Sequence, residues 1–329
     1  MGGDNAPAAP VEGAVLAAES LGVPVCLVGD EERLRGELER LGRYPGNLVR
    51  VRHAPGVIDA GEQPVAALRR KKDSSMVVAL GMVKQGEADV LVSAGNTGAL
   101  LAGGVVMIGR LRGVDRPAIS TVLPTRKGKG VLLLDAGANV DSRPEHLVQF
   151  AIMGSVYASH VLGWNPVSTG LLNVGVEEGK GNDAVKQAYS RLKARSDFVG
   201  NVEGRDVLAG DVNVVICDGF VGNIFLKTLE GTAGMIFDSL REELKGVRAT
   251  AGGLLLKPAF KRLKKRLDYS EYGGAPLLGL EKPVIKCHGS SGPMAFMNGC
   301  RVAVEFASSG AIDALAQEIQ VMSNSEGGL

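Results

Sequence analysis

Short apolar runs that close on a glycine-containing loop and pass into a helical pattern recur along most of this chain, and that rhythm constrains its fold more than any other feature. The runs are VPVCLVG (23–29), ADVLVSAG (88–95), GVLLLDAG (130–137), STGLLNVG (168–175), VNVVICDG (212–219) and PVIKCHG (283–289). Helical patterns follow at 96–111, 144–163, 220–244 and 291–320. Such alternation implies βαβ units around a mostly parallel sheet. In sheets of this kind, ligands bind beyond the carboxyl ends of the strands, where the loops gather. The 46 glycines and the 4% aromatic content fit an α/β protein better than a sandwich or barrel.

At 329 residues the chain has room for one large or two modest domains. Its 37 basic and 36 acidic residues leave a net charge of +1, so no global field favours nucleic acid, and an anionic partner must be met locally. Four cysteines, Cys26, Cys217, Cys287 and Cys300, form no C-x-x-C pair and read as reduced, buried thiols. There is no run of about 18 apolar residues to cross a bilayer and no leader pattern, so a cytoplasmic protein, soluble or held at a membrane surface, is expected.

Several loops carry chemistry. After the run ending at Gly95, Asn96, Thr97 and Gly98 open a helix, where free amides and the positive helix end suit a phosphate. An N-cap turn is the alternative. Arg69, Arg70, Lys71 and Lys72 precede Ser74 and Ser75 at another helix start, which reads as a second anion site or as a solvated charged face. Asp135, Asn139 and Asp141 share one loop, but a calcium loop needs an acid where His146 stands, so a polar cleft wall is expected there instead. Glu177, Glu178, Lys180 and Asn182 follow the run at 168–175. Asp218 ends a strand, with Asn223 and Lys227 four residues apart on one helical face. His288 ends another strand just before Ser290 and Ser291, a better catalytic position than His160 within an apolar helix. A hydrogen bond that only fixes the loop would leave the same pattern. No G-x-S-x-G elbow, H-E-x-x-H motif or dinucleotide fingerprint occurs.

The segment 254–267, LLLKPAFKRLKKRL, has six basic residues and no acid, with Leu256, Phe260, Leu263 and Leu267 in a helical stripe. It reads as a membrane-surface helix, as a dock for an acidic protein, or as a solvated outer helix.

Taken in order, GGDNAP, RRKKDSSM, VSAGNTGAL, LLDAGANVDSRPEHLVQFAIMGSVYA, LLNVGVEEGKGN, FVGNVEGRD, CDGFVGNIFLKT, DYSEYGGAPLLG and CHGSS resemble the PlsX family of phosphate acyltransferases over essentially the whole chain. The resemblance implies transfer of a long-chain acyl group from acyl carrier protein to inorganic phosphate, giving acyl phosphate for phospholipid synthesis. It also implies a homodimer and a three-layer αβα fold similar to the isocitrate and isopropylmalate dehydrogenases and to phosphotransacetylase. Phosphate is already an anionic nucleophile and a thiolate leaves readily, so neither a cofactor nor a metal is expected.

On this reading Asn96, Thr97, Gly98, Ser74 and Ser75 are candidates to hold phosphate. Lys180, Asn223, Lys227, His288 and Ser290 are candidates to orient it, stabilise the oxyanion or protonate the leaving sulfur, with Asp4, Asn5, Asp135, Asn139 and Asp218 on the cleft wall. Peripheral association with the inner face of the cell membrane is assigned to a helical hairpin at 230–268 through Leu254, Leu255, Leu256, Phe260, Lys261, Lys264 and Lys265, within one catalytic domain that ends in a disordered tail at 322–329. An enzyme using acyl-coenzyme A and a non-catalytic membrane scaffold are the competing readings.

Two features depart from the family pattern. Gln63 stands where a second acid precedes Pro64, and GGDNAP follows Met1 directly, where the family has a short apolar strand. The expectation is that Met1 is internal to a longer reading frame and that about seven residues of strand are missing, leaving neighbouring strand edges unpaired.

Overall fold

The computed structural model describes residues 1–42, 44–245, 247–267 and 273–326. Its strands are β1 (Val25–Gly29), β2 (Val49–His53), β3 (Leu91–Ser93), β4 (Ala118–Leu123), β5 (Val131–Leu134), β6 (Thr169–Leu172), β7 (Phe198–Val202), β8 (Val214–Ile216), β9 (Ala275–Leu278) and β10 (Val284–Lys286). Among the described residues these form two sheets, a parallel pair β1-β2 and an eight-stranded sheet in the order β3-β10-β9-β4-β5-β8-β6-β7. The pairs β3/β10, β5/β8, β8/β6 and β6/β7 are parallel, whereas β4 and β9 run antiparallel to each other and to their outer neighbours.

The large sheet is covered on both faces, and the two-residue period of its strands shows this directly. Leu132 and Leu134 join one core with α6 (Pro144–His160) and α11 (Pro293–Ser308), while Val131 and Leu133 join another with α8 (Gly204–Ala209). Leu278 and Ile285 face the first core, whereas Leu277 and Val284 face a third with α4 (Ser75–Gln85) and α5 (Thr97–Gly103). The result is the α/β layering expected from the apolar runs.

Four strands have no counterpart among those runs. β2, VRVRH, carries Arg50, Arg52 and His53, and β7 is only partly buried at Phe198 and exposed at Val199, so neither reads as a continuous apolar core strand. β4 and β9 pair antiparallel and do not feed helices, which is the pattern by which the other strands are recognised. Two helical patterns also divide. The one from 96 becomes α5 followed by a π-helical turn, Gly104–Ile108, and the one from 291 breaks at Gly310, whose φ is +70°, into α11 and α12 (Ala311–Glu326). α12 thus keeps the chain helical through Glu326, where a disordered tail was expected from 322.

The long helices α9 (Gly219–Glu243) and α10 (Val247–Leu267) account for most of 219–267. Only Gly219 and Gly222 of α9 are buried. On α10, Leu255, Leu256, Lys261 and Leu263 are exposed and Phe260 is half-buried. The side chains of Leu254, Lys264 and Lys265 lie outside the described residues. No described helix is long and apolar enough to cross a membrane.

Candidate active site

The GGDN loop does not fray. It docks between the ends of β3 and β10, with the Asp4 amide donating to the Gly289 carbonyl at 2.8 Å. The Asn5 amide group donates to the Ser290 and Ser291 carbonyls at 3.0 and 3.3 Å. The approach is so close that a Cβ on Gly2 would lie 2.6 Å from the Gly95 Cα. The loop then enters α1 (Ala8–Leu21), whose small residues allow it to pack on α11.

Beside this loop stand the functional groups of β10 and α9. The Nζ of Lys227, two turns into α9, lies 3.4 Å from Nε2 of His288. Lys227 also pairs with Glu230 at 2.7 Å. On the far side of the ring, Ser290 Oγ lies 2.7 Å from Nδ1, and the Ser290 amide donates to Nδ1 at 3.3 Å. A nitrogen that accepts from a backbone amide carries no proton, so the neutral ring is protonated at Nε2. Partial burial, followed by the Lys227 charge, lowers the His288 pKa from its ordinary value. A neutral N–H and an ammonium thus sit side by side, an arrangement that an anion accepting from both would satisfy.

Lys286 is a second lysine at this end of β10 and was not singled out in the sequence. Burial lowers its pKa, with Lys227 adding to the effect and Asp4 opposing it. Its Nζ donates to the Cys287 carbonyl, and no carboxylate lies within ion-pair distance among the described residues. The signal was available, because a lysine in an otherwise buried strand two residues before a candidate histidine is unusual.

Other candidate residues have structural work. Asp135 is not a cleft wall. It is fully buried, and its carboxylate accepts from the amides of Ile119, Gly137, Ala138 and Asn139 and from the Asn139 side chain. Burial raises its pKa while these donors pull it back. Asn139 also donates to the Pro117 carbonyl and receives the Gly219 amide on its own carbonyl, which fixes the start of α9. Asp218 caps α9 through the Val221 amide.

Ser74 and Ser75 are buried, and Ser74 Oγ accepts from Val77 as the cap of α4, so neither faces an anion site. Within the basic run before them, Arg70 and Lys71 pair with Glu62, whose pKa falls to about 2, chiefly through the Lys71 hydrogen bond. Asn96 caps α5 through Ala99, and its amide group donates to the carbonyls of Asp59 and Ala60, which leaves its side chain committed. Thr97 is exposed, and Gly98 packs on Pro64. Asn223 lies against Gly137 at the rim. Lys180 is exposed in the loop after β6, and no described hydrogen bond or ion pair joins it to the His288–Lys227 pair. Among the described residues no three His, Cys, Asp or Glu side chains converge as metal ligands would.

A family profile described as "Fatty acid synthesis protein" matches residues 1–314. A phosphate acyltransferase of Desulforamulus reducens is 49% identical over 321 residues, covering 97% of this chain and 96% of that protein. The phosphate acyltransferase of Pelotomaculum thermopropionicum is 53% identical over 307 residues, or 93% and 89% of the two chains. The chain belongs to the PlsX family of phosphate acyltransferases. Members of this family are acyltransferases, and so is this chain. Among solved structures, a phosphotransacetylase from Streptococcus pyogenes matches at a TM-score of 0.58 with 18% identity, covering 90% of this chain and 91% of that one. The EutD phosphotransacetylase from Staphylococcus aureus matches at 0.56 with 16% identity, covering 90% and 89%. These two likenesses establish a shared fold.

Proposed function

We propose that the chain transfers a long-chain acyl group from the thioester of acyl carrier protein to inorganic phosphate, forming acyl phosphate for phospholipid synthesis. The carrying observation is the Lys227–His288 pair, two donors 3.4 Å apart at the carboxyl end of β10, with Lys286 nearby. A phosphate oxygen held by Lys227 Nζ and the Nε2–H of His288 attacks the thioester carbonyl. A C–O bond forms, the carbonyl becomes an oxyanion, and its collapse breaks the C–S bond and releases the carrier thiolate. Lys286 offsets the charge of the bound phosphate, and holding both reactants in line replaces a bimolecular encounter. Asn223 and the exposed Thr97 line the approach. Lys180 belongs at the outer edge, where a carrier would dock.

Membrane-surface binding at the inner face of the cell membrane is assigned to the 230–268 hairpin, supported by exposed Leu255 and Leu256 beside Lys257 and Lys261. A homodimer is supported by the exposed apolar side chains Phe220, Ile224, Met235 and Ile236 on α9. Acyl phosphate formation from one long-chain acyl group, presented on acyl carrier protein and on coenzyme A, tests the donor. Higher kcat/KM with the carrier is expected, and equal or better use of coenzyme A would identify a phosphotransacetylase-like enzyme. No acyl phosphate from either donor would favour the scaffold.

A further inference from the structure

A cavity of about 180 Å³ lies behind the large sheet, on the face away from Lys286. Its floor is β4 at Thr121 and Val122, and Val122 packs with the core that α6 and α11 share. Lys286 stands opposite Ala275 of β9, which packs with the core of the other face. Gly274, just before β9, lines the cavity and divides it from Lys286, since a Cβ there would lie 3.1 Å from the Lys286 carbonyl oxygen. The cavity is therefore separate from the site proposed for acyl transfer.

Its walls are aliphatic and aromatic. Leu162 and Trp164 close it from the turn after α6, Val302 from α11, and Tyr157 from the last turn of α6. Tyr157 is only 2% exposed, and its ring stands edge-on to Phe306 at 5.3 Å. Its hydroxyl makes no hydrogen bond among the described residues, an uncommon state for a buried tyrosine. Burial pushes its pKa up, with Glu305 adding to the effect and Arg301 opposing it, so the hydroxyl keeps its proton beside two side chains that line the same cavity.

The charges around the cavity leave one surplus cation. Arg301 and Glu305 bond each other at 2.8 Å, which neutralises the pair. Lys129, from the turn between β4 and β5, is exposed at the rim and forms no ion pair or hydrogen bond among the described residues. An unused O–H donor within and an unpaired ammonium at the rim call for an acceptor that bears negative charge. Space sets the rest of the ligand. A cavity of about 150 Å³ holds benzene, so this one takes a body of about six or seven carbons and excludes a long acyl chain.

We propose that this cavity binds a small monocarboxylate with an apolar body, its carboxylate accepting from Tyr157 and facing Lys129. Binding there does not depend on turnover at His288, so the test reads occupancy and not activity.

Trp164 is the one tryptophan of the chain, and its emission reports the cavity directly. The 329-residue protein is titrated with benzoate and hexanoate, each beside its uncharged alcohol, benzyl alcohol and hexanol. A saturable change in emission is expected with at least one acid, and the tighter of the two identifies the body as aromatic or aliphatic. Each alcohol should bind at least about tenfold more weakly than its acid. Tyr157→Phe keeps the edge contact with Phe306 and should weaken the acid about tenfold. Lys129→Gln should weaken it about threefold at low salt and less at high salt. Tyr189→Phe, whose ring packs on Phe198 away from the cavity, should match the parent. No saturable change with either acid, equal affinity for acid and alcohol, or unchanged affinity in Tyr157→Phe or Lys129→Gln overturns the proposal.

Discussion

Gly222 sets the position of α9, and Gly222→Ala tests whether that position matters to catalysis. A Cβ there would sit 1.9 Å from the backbone carbonyl oxygen of Asp135, and ordinary contact begins at 3.4 Å. The helix must therefore move by about 1.5 Å, because the obstacle is backbone that the buried Asp135 carboxylate holds in place. Alanine gains about 1 kcal/mol of helix propensity over glycine, against an overpacking cost of about 1–3 kcal/mol. The expected net loss is about 0–2 kcal/mol, a fall of at most a few degrees in Tm for a chain of this size.

Activity should suffer more, because Lys227 rides on the same helix and a misplacement of about 1 Å can cost about 100-fold. Gly231→Ala is the control, since a Cβ there meets nothing within 4 Å. It should match or exceed the parent in Tm and match it in turnover. Acyl phosphate trapped with hydroxylamine gives the rate, and circular dichroism gives Tm. If Gly222→Ala is as stable and as active as Gly231→Ala, the close approach of α9 to Asp135 does not position Lys227.

Further outcomes are specific to single groups. Ser74→Ala should cost about 1 kcal/mol through the lost cap of α4 and leave the KM for phosphate unchanged, whereas a phosphate ligand would raise it. Lys227→Ala removes a cation that disfavours the His288 imidazolium, so the His288 pKa should rise in an NMR titration of its ring. The protonated ring then persists to higher pH, and the acid limb of the rate profile should move up with it, alongside a loss of about 100-fold in kcat/KM. Leu255→Ser combined with Leu256→Ser should weaken sedimentation with anionic vesicles by well over tenfold, at about 1.5–3 kcal/mol for each buried leucine, while turnover on soluble donor stays intact.

Local chemistry was readable where one residue type answers one local need. Asn96, Asp218 and Ser74 stand at helix starts because their oxygens accept the free amides of the first turn, and the structure uses all three in that way. The same pattern could not say whether such an oxygen also faces a ligand. Ser74 is buried by the pairing of its loop with Gly56, a contact 18 residues away that no local signal carries. Asp135 looked like a cleft acid because strand-end aspartates often are. Its burial depends on Pro117, Ile119 and Gly219 closing around it from other elements.

By itself the sequence determined the strands that close on glycine loops, the main helices that follow them and the residues that cap those helices, since hydrophobic period and capping are properties of a few neighbouring residues. Tertiary structure decided which loops meet. Lys227 and His288 are 61 residues apart, and Asn5 and Ser290 are 285 apart, yet both pairs touch. Their meeting follows from strand order, from the antiparallel β4 and β9 in mid-sheet, and from a glycine contact that brings α9 against Asp135. These are non-local pairings, whose free energy exists only once the whole sheet has formed.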